Sequence, residues 1–191
     1  MSNKDKATRI FAHPKLHLGC GKRYIPGFVH VDIADYPHVD FKCDVADLSV
    51  FKSNTVELIY ACHVLEHFKR DEVEQVLREW HRVLTPGGTI RIAVPDFEAV
   101  LKVYQTSKEL ELIMGLLYGG QDDNYNFHRV VFDFKYLKQL LEKVGFRQVE
   151  RYDWRNTIHK SYDDFSQAYI PHMDKEHGIL VSLNVEAKKQ D

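Results

Sequence analysis

The sequence lacks the features that mark membrane, secreted and nucleic-acid-binding proteins. No apolar run approaches the roughly 20 residues that a membrane-spanning helix needs, and the N-terminal segment has no apolar stretch typical of a signal peptide. The formal net charge of -2 argues against a surface that follows a phosphate backbone, and so against a nucleic-acid partner. The three cysteines, Cys20, Cys43 and Cys62, show no close pairing and are typical of reduced thiols in a cytoplasmic protein.

The composition is that of an ordinary globular domain. The chain has 191 residues, of which 44% are apolar and 28% charged. Internal repeats, low-complexity tracts and linker-like stretches are absent from the sequence, so we expect a single domain over residues 1–191. Residues 1–12 are expected to form a frayed end, and the sequence predicts no particular oligomeric state.

Short apolar strands alternate with amphipathic helices along most of the chain. The predicted strands are Lys15–Leu18, Phe28–Asp32, Asp40–Asp44, Val56–Cys62, Thr89–Val94, Phe146–Tyr152 and Ile179–Ala187. Helices are expected after Asp71, over Phe97–Tyr118 with a break near Thr106, and from an Asp133 cap to Gly145. This alternation predicts an α/β fold, a doubly wound, mostly parallel, seven-stranded sheet with helices on both faces.

The stretch 154–178 interrupts that alternation. It combines aromatic residues, histidines and acids before the last strand. Loops at this end of a sheet often cover a site, so we expect an insertion over the site. The alternative is an ordinary surface insertion with a few packed aromatic side chains.

A glycine turn followed by an acid is the most informative local pattern. The run Leu16-His-Leu-Gly-Cys-Gly21 is followed, after ten residues, by Asp32 at the end of a second apolar strand. A glycine turn lets the backbone approach a ligand closely, because no Cβ intervenes. An acid at the neighbouring strand tip can accept hydrogen bonds from both ribose hydroxyls. The pair predicts a nucleoside-binding crevice at the carboxyl ends of parallel strands.

Three ligands compete for such a turn. A dinucleotide requires a third glycine where this chain has Tyr24. A phosphate-binding loop requires Ser or Thr after Gly-Lys, whereas Arg23 follows Lys22 here. S-adenosylmethionine (SAM), a sulfonium nucleoside, needs only a close turn and a ribose-binding acid, so it fits best.

The chain resembles class I SAM-dependent methyltransferases from about residue 15 to 187. The matching residues are Leu18-Gly19-Cys20-Gly21, Asp32, Asp44-Val45, Val64-Leu65-Glu66-His67 and Arg82-Val83-Leu84-Thr85-Pro86-Gly87-Gly88. The resemblance implies a Rossmann-like methyltransferase fold whose last strand is antiparallel. It also implies SAM as the cofactor and S-adenosylhomocysteine as its product.

The same resemblance implies a set of cofactor-binding residues. The turn would lie against the methionine moiety, acids would hold the ribose and the adenine amino group, and the end of the fourth strand would hold the amino group. The residues are Gly19, Cys20, Gly21, Asp32, Ile33, Asp44, Val45, Ala61 and Cys62. The alternative for Asp32 and Asp44 is a solvated strand end or a helix cap.

One departure from the family pattern concerns the first crossover. Only ten residues separate Gly21 from Asp32, enough for about one helical turn where the family has a full helix. This shortened crossover, with Ile25-Pro-Gly-Phe-Val-x-Val-Asp32, is similar to methyltransferase-like proteins encoded among genes for surface sugars. We therefore expect an abbreviated crossover.

The catalytic candidates are three histidines. His128 follows the Gly119-Gly120 loop, which in this family covers the acceptor, and is the first choice as a general base. His63 and His67 are the next candidates, and the alternative for His128 is that it only orders its loop. The run from His63 to His67 also matches a reversed zinc-protease pattern, His-x-x-Glu-His. Because this run directly follows a parallel strand within the methyltransferase motif, we expect no metal.

The expected function is SAM-dependent methyl transfer to a small molecule or a surface-glycan sugar, with oxygen favoured over nitrogen. One alternative is a SAM-binding protein with other chemistry or no catalysis. A second alternative is a nucleic-acid methyltransferase, against which the balanced charge and the missing Asp/Asn-Pro-Pro-Tyr motif argue. The expected partner is therefore a small-molecule or glycan acceptor.

Overall fold

The computed structural model describes residues 13–122 and 124–190. These residues form a seven-stranded sheet, a two-stranded sheet and four α-helices. The expected frayed end at 1–12 lies outside the described residues. The strands are β1 (Lys15–Leu18), β2 (Val29–Asp32), β3 (Phe41–Lys42), β4 (Val56–Cys62), β5 (Leu84–Pro95), β6 (Phe146–Arg151), β7 (Tyr169–Ile170), β8 (Ile179–Leu180) and β9 (Ser182–Lys189). The helices are α1 (Val73–Val83), α2 (Phe97–Ser107), α3 (Glu111–Tyr118) and α4 (Phe134–Val144).

The strand order confirms the predicted fold class. The main sheet runs β3-β2-β1-β4-β5-β9-β6, and β7 pairs with β8 in a separate two-stranded sheet. β9 is antiparallel to both of its neighbours, whereas β1 to β5 pair in parallel. The order reverses between β1 and β4, which places a ligand crevice at the carboxyl ends of these two strands.

One face of the sheet carries the main apolar core. Alternate residues of the central strands, such as Leu16 and Leu18, point to this face. Apolar side chains of α1 and α4 cover them. Trp80 of α1 is fully buried there, and its indole N–H donates to the carbonyl of Val45 at 2.9 Å. That bond ties the segment after β3 to the core.

The opposite face is polar and aromatic. His17, His30 and Tyr60 are buried on it, and the ring of His17 stacks on Tyr60 with centroids 5.4 Å apart. Two one-turn 3-10 helices, Trp154–Asn156 and Phe165–Gln167, belong to the segment that covers this face. Its buried contacts include the Tyr60 hydroxyl, which donates to Asp164 at 2.6 Å, and the Asn184 amide, which donates to the Ser166 carbonyl at 2.8 Å.

The first crossover is abbreviated, as the sequence predicts. Residues 19–28 form turns and contain no helix. The imidazole of His30 holds the turn, because its Nε2 accepts the backbone N–H of Ile25 at 2.9 Å. Burial lowers the pKa of His30, partly offset by Asp40, so the neutral ring can accept this bond. A buried side chain thus supports the crossover where a helix would otherwise do so.

Some element boundaries differ from those that the sequence predicts. β5 begins at Leu84, five residues before the predicted start, because Leu84 already pairs with Val56 of β4. The pairing shifts register over Thr85–Gly88, where Gly87 has a φ of 74°, and resumes at Thr89. The predicted last strand divides into β8 and β9. Asp71 was expected to cap α1, but that helix begins after Glu72 with no side-chain cap. The predicted break after α2 is confirmed, since Lys108 has a left-handed φ of 60°.

None of the helices in the described part of the chain is long and apolar enough to cross a membrane.

Candidate functional site

The glycine turn after β1 forms one wall of a cleft at the carboxyl ends of the strands. Gly19 has a φ of +59°, and a Cβ at this position would lie 2.4 Å from Cγ2 of Val64. Gly21 also has a positive φ, of +54°, but a Cβ there would meet no atom within 4 Å. The first glycine is therefore required by packing, and the turn has open space above the second.

Asp32 ends β2 and is 7% exposed. Its Oδ2 accepts the N–H of Gly21 at 2.7 Å, and its Oδ1 accepts the N–H of Ala34 at 2.8 Å. The carboxylate therefore joins the glycine turn to the end of β2. An ionised carboxylate has roughly four acceptor sites, so two hydrogen bonds leave capacity for ligand hydroxyls. The sequence pointed to the ligand role, and the turn-bracing role appears only in the structure.

The cleft has a volume of about 340 Å³ and brings together most of the polar cofactor candidates. It is lined by five of the predicted cofactor residues, Gly19, Asp32, Ile33, Asp44 and Val45. Asp44 and Asp32 approach it from the ends of neighbouring strands β3 and β2. Two acids therefore line one cleft, and that they hold a nucleoside stays a prediction.

The other predicted cofactor residues lie beside the cleft rather than in its lining. Gly21 sits in the turn, Ala61 is fully buried in the main core, and Cys62 packs among side chains of the opposite face. Cys20 is buried, and burial together with the charge of Asp32 raises the pKa of its thiol to about 12. A thiol with so high a pKa is not a nucleophile near neutral pH.

A buried carboxylate surrounded by three histidines lies beside the cleft. We call His63, Glu66, His67 and His128 the Glu66 cluster. Glu66 is fully buried, with His63 Nδ1 3.2 Å and His128 Nε2 3.9 Å from its Oε1. The rings of His67 and His128 are 5.0 Å apart. His63 and His67 line the cleft, whereas Glu66 and His128 are not part of its lining.

The chain positions this cluster through backbone hydrogen bonds. The N–H of Arg129 donates to the carbonyl of Glu66 at 2.8 Å, which fixes the segment with His128 against the turn after β4. His128 Nδ1 lies 2.9 Å from the carbonyl of Leu116, and His67 Nδ1 lies 3.2 Å from the carbonyl of Phe127. A carbonyl only accepts, so each Nδ1 carries the proton and each neutral ring keeps its lone pair on Nε2.

The pKa values of the Glu66 cluster follow from burial and mutual attraction. Burial opposes ionisation of Glu66, but the imidazoles of His63, His67 and His128 outweigh it and lower the pKa of this carboxyl. Burial lowers the pKa of His128, although Glu66 and the Leu116 carbonyl act in the opposite direction. His128 is therefore neutral near pH 7 and can accept a proton.

The residues from 63 to 67 do not form the helical pair that a reversed zinc-protease motif requires. Only Leu65–His67 is helical, as a single 3-10 turn, and His63 has a left-handed φ of 53°. His63 and His67 therefore do not act as an i, i+4 pair on one helix face. The third histidine of the cluster comes from residue 128, which the sequence pattern could not place next to them.

Several residues of the cleft were not among the sequence candidates. They come from the turn after β4 and from the loop before His128, and they are Val64, Phe68, Asn124, Tyr125, Asn126 and Arg129. Glu66 was recognised in the sequence only as part of a motif. The signal that could have found it is its place directly before His67, at the carboxyl end of a central strand.

The segment 154–178 contacts the Glu66 cluster through the side chain of Phe165. The ring of Phe165 lies 5.2 Å from that of His63, and the guanidinium of Arg23 lies 4.8 Å above Phe165. The segment lies mainly against the polar face of the sheet. That it covers the site stays a prediction.

Comparison with known proteins finds methyltransferases similar to this chain. A family model described as a methyltransferase domain matches residues 28–92. This partial match is consistent with the class I SAM-dependent methyltransferases that the sequence resembles. The matched methyltransferase segment runs from the start of β2 into β5. It contains Asp32, Asp44 and three members of the Glu66 cluster, whereas the glycine turn and His128 lie outside it.

A curated methyltransferase relative is found in Dictyostelium discoideum. The mitochondrial 2-methoxy-6-polyprenyl-1,4-benzoquinol methylase of that organism is 28% identical over 160 residues, covering 78% of this chain and 49% of the relative. The chain thus spans about half the length of the curated relative that it matches.

Solved methyltransferase structures share the fold. The 1,6-didemethyltoxoflavin-N1-methyltransferase of Burkholderia thailandensis, solved with S-adenosylhomocysteine, has a TM-score of 0.57 at 17% identity, over 99% of this chain and 77% of that chain. A SAM-dependent methyltransferase from Archaeoglobus fulgidus has a TM-score of 0.57 at 16% identity, over 98% of this chain and 95% of that chain. These structures share the fold that the sequence predicts, and their printed descriptions agree with the predicted resemblance to SAM-dependent methyltransferases.

Proposed function

We propose that this chain transfers a methyl group from SAM to an oxygen of a small molecule or of a surface-glycan sugar. The observation that carries the proposal is one cleft lined by the glycine turn, by two acids and by two histidines of the Glu66 cluster. The turn and the acids, called here the nucleoside end, suit a nucleoside. The histidines, called the acceptor end, suit an acceptor that must lose a proton.

The residues at the nucleoside end fit SAM. The open space above Gly21 accommodates a ligand close to the backbone. Asp32 keeps acceptor capacity for the ribose hydroxyls, while Ile33 and Val45 provide apolar surface and Asp44 an acceptor for the adenine amino group. When bound, SAM supplies a methyl group on a positively charged sulfur that is ready for displacement. Gly19, Cys20, Ala61 and Cys62 complete the proposed set by shaping the backbone around its methionine moiety.

The acceptor end supplies alignment and a proton acceptor. Methyl displacement needs the two reactants held in line, and a hydroxyl acceptor must also lose its proton. His128 is neutral, has its proton on Nδ1 and can accept one on Nε2. His63 and His67 stand nearer the open cleft and are the next candidates for the same role.

Arg129 also lines this end and adds a positive charge. An acceptor with an anionic group, such as a sugar nucleotide, suits that charge. The benzoquinol methylase activity named for the Dictyostelium relative adds phenolic compounds to the set of acceptors worth testing. A cytoplasmic location is part of this proposal and is supported by the three cysteines, which are all unpaired.

A second candidate function is SAM binding without methyl transfer. The observation that favours it is the helix-free crossover at residues 19–28, which gives the cofactor end less support than the full crossover helix expected for the family. Turnover with any acceptor would exclude it.

Calorimetry with SAM and S-adenosylhomocysteine tests the cofactor end. We expect the wild type to bind both and Asp32→Ala to lose at least about tenfold in affinity, because the ribose acceptor and the brace on the glycine turn are removed together. Asp35→Ala is the matched control, since Asp35 is an exposed acid three residues further along whose ion pair with Lys42 is also exposed. Absence of binding by the wild type would refute the proposal.

Turnover assays with sugar nucleotides, hydroxylated small molecules and phenols then test the acceptor end. His128→Ala should keep the cofactor affinity and lose most of the turnover, because this side chain contacts the Glu66 cluster and not the glycine turn. Unchanged turnover in this variant would remove His128 from the mechanism.

A further inference from the structure

We infer that Glu66, His67 and His128 form a binding site for a divalent transition-metal ion. The sequence analysis expects no metal, because the run from His63 to His67 directly follows a parallel strand within the methyltransferase motif. The structure joins a different set, in which His128 arrives from the loop before α4. One ligand atom from each of these three residues lies within 4.8 Å of the others.

The spacing is close to that of a metal centre. Ligand atoms about 2.1 Å from one tetrahedral Zn²⁺ lie roughly 3.4 Å apart. The distance between Glu66 Oε1 and His128 Nε2 is 3.9 Å. Small rotations of two side chains therefore close the set around one ion.

The hydrogen bonds behind the histidines are those of metal ligands. A metal-binding imidazole usually donates its other ring N–H to a carbonyl or carboxylate, which fixes the tautomer and the ring orientation. His128 and His67 both place Nδ1 against backbone carbonyls, those of Leu116 and Phe127. Both rings are thereby held with the lone pair of Nε2 available to an ion.

The environment of the Glu66 carboxylate is a second, independent indication that an ion binds here. Its side chain is completely buried, and neither carboxylate oxygen accepts a hydrogen bond from the described residues. His63 Nδ1 lies 3.2 Å from Oε1 but outside hydrogen-bond geometry. A buried carboxylate without hydrogen bonds is costly unless a cation or a donor compensates it. An ion at this point would be that cation, and His63 would orient the carboxylate from the side.

The donor set narrows the class of ion. Two imidazoles and one carboxylate are found in catalytic zinc sites and in sites for Fe²⁺. Such sites keep coordination positions open for water or substrate. Here His67 lines the cleft while Glu66 is buried behind it, so the open positions face the acceptor end.

The use of this ion in catalysis rests on the proposed function, whereas the binding site itself does not. A hydroxyl oxygen bound to the ion has a lowered pKa and releases its proton to solvent. The oxygen then forms a bond to the methyl carbon as the carbon–sulfur bond breaks, and the sulfur keeps the electron pair. A His128 Nε2 that binds the ion cannot also take a proton. A loaded site therefore activates the acceptor through the ion, and an unloaded site through His128.

Metal titration of the purified chain tests the site without any acceptor or SAM. Protein stripped with a chelator is titrated with Zn²⁺ by calorimetry and with Co²⁺ by visible absorbance. We expect one equivalent to bind and the Co²⁺ spectrum to show a low-symmetry site. Glu66→Gln, His67→Ala and His128→Ala should each weaken binding by at least about tenfold. His177→Ala is the control, because His177 is highly exposed and lies outside the Glu66 cluster.

Circular dichroism of each variant separates a lost ligand from a lost fold. The wild-type titration tests the proposed metal site even if Glu66→Gln does not fold. Binding of less than one equivalent of metal, or a Co²⁺ spectrum of the hexa-aqua type, would refute the site. SAM affinity measured on the metal-free protein reports separately on the proposed function. Metal binding without SAM binding would refute that function and leave the site standing.

Discussion

The two glycines of the turn after β1 carry different constraints. Both have left-handed backbone angles, which L-residues adopt at a cost of about 1–2 kcal/mol. Only at Gly19 does an added Cβ also collide with a neighbour, 2.4 Å from Cγ2 of the buried Val64. The sequence motif makes the two positions look equivalent, and the packing distinguishes them.

We predict that Gly19→Ala destabilises the protein more than Gly21→Ala. Strain alone should cost Gly21→Ala about 1–2 kcal/mol, and the contact with Val64 should raise the cost for Gly19→Ala to roughly 3–5 kcal/mol. Urea unfolding of the two variants measures the difference. Equal free energies of unfolding would contradict the close contact. Gly21→Ala should weaken cofactor binding more than Gly19→Ala does, relative to the stability that each variant loses. The reason is that the added Cβ of Gly21→Ala points into open space above the turn.

At the level of elements, helix starts show how local signals succeed and fail. Asp133 and Asp71 both precede apolar helical patterns in the sequence. Asp133 caps α4, with its side chain accepting the N–H of Tyr136 at 2.7 Å. Asp71 does not cap α1, which begins after Glu72 without a side-chain cap. The difference arises because the turn before α1 is set by Lys69, whose N–H donates to the Glu72 carboxylate at 3.0 Å.

Replacing each acid by alanine tests this contrast. Asp133→Ala should lower the free energy of unfolding by about 1 kcal/mol, because it leaves an end N–H of α4 without its acceptor. Asp71→Ala should change it by less than about 0.5 kcal/mol, as expected for an exposed side chain without a structural role. Urea unfolding at one pH compares the two directly. A loss of similar size at Asp71 would show that it acts as a cap in solution.

Across the whole molecule, the two faces of the sheet differ in the chemistry of their cores. The face under α1 and α4 is apolar, whereas the face under residues 154–178 buries His17 and His159. Burial lowers the pKa of His17 to about 3 and, against the attraction of Asp164, that of His159 to about 4. Both rings are therefore neutral in the folded protein at pH values where they are charged in the unfolded chain.

This burial predicts acid sensitivity. The two histidines have a pKa of about 6.5 in the unfolded chain, so below that pH they are protonated there but stay neutral in the folded protein. The free energy of unfolding therefore falls as the pH falls from about 6.5 towards 4. Each histidine should account for up to roughly 2 kcal/mol between pH 7 and pH 5. Thermal unfolding across this range measures the effect. His17→Leu should flatten the pH dependence and His172→Ala, an exposed control, should not; an equally steep profile in His17→Leu would contradict this account.

Local patterns in the sequence were enough to predict the sheet, its connections and the meeting of the glycine turn, Asp32 and Asp44 at one cleft. Strand periodicity is local, and the glycine turn, Asp32 and Asp44 follow their strands directly, so the parallel topology brings them to one edge. The short crossover was equally readable, because ten residues cannot hold a helix of several turns.

The members of the Glu66 cluster could be brought together only by long-range packing. Glu66 and His128 are far apart in the chain, and no spacing rule relates them. Their carboxylate and imidazole come within 3.9 Å because the loop before α4 hydrogen-bonds to the turn after β4. The polar second face has the same origin, since His159 reaches Tyr60 through folding of the 154–178 segment, with ring centroids 4.0 Å apart. Local patterns fix the elements, and long-range packing fixes which charged and titratable groups meet.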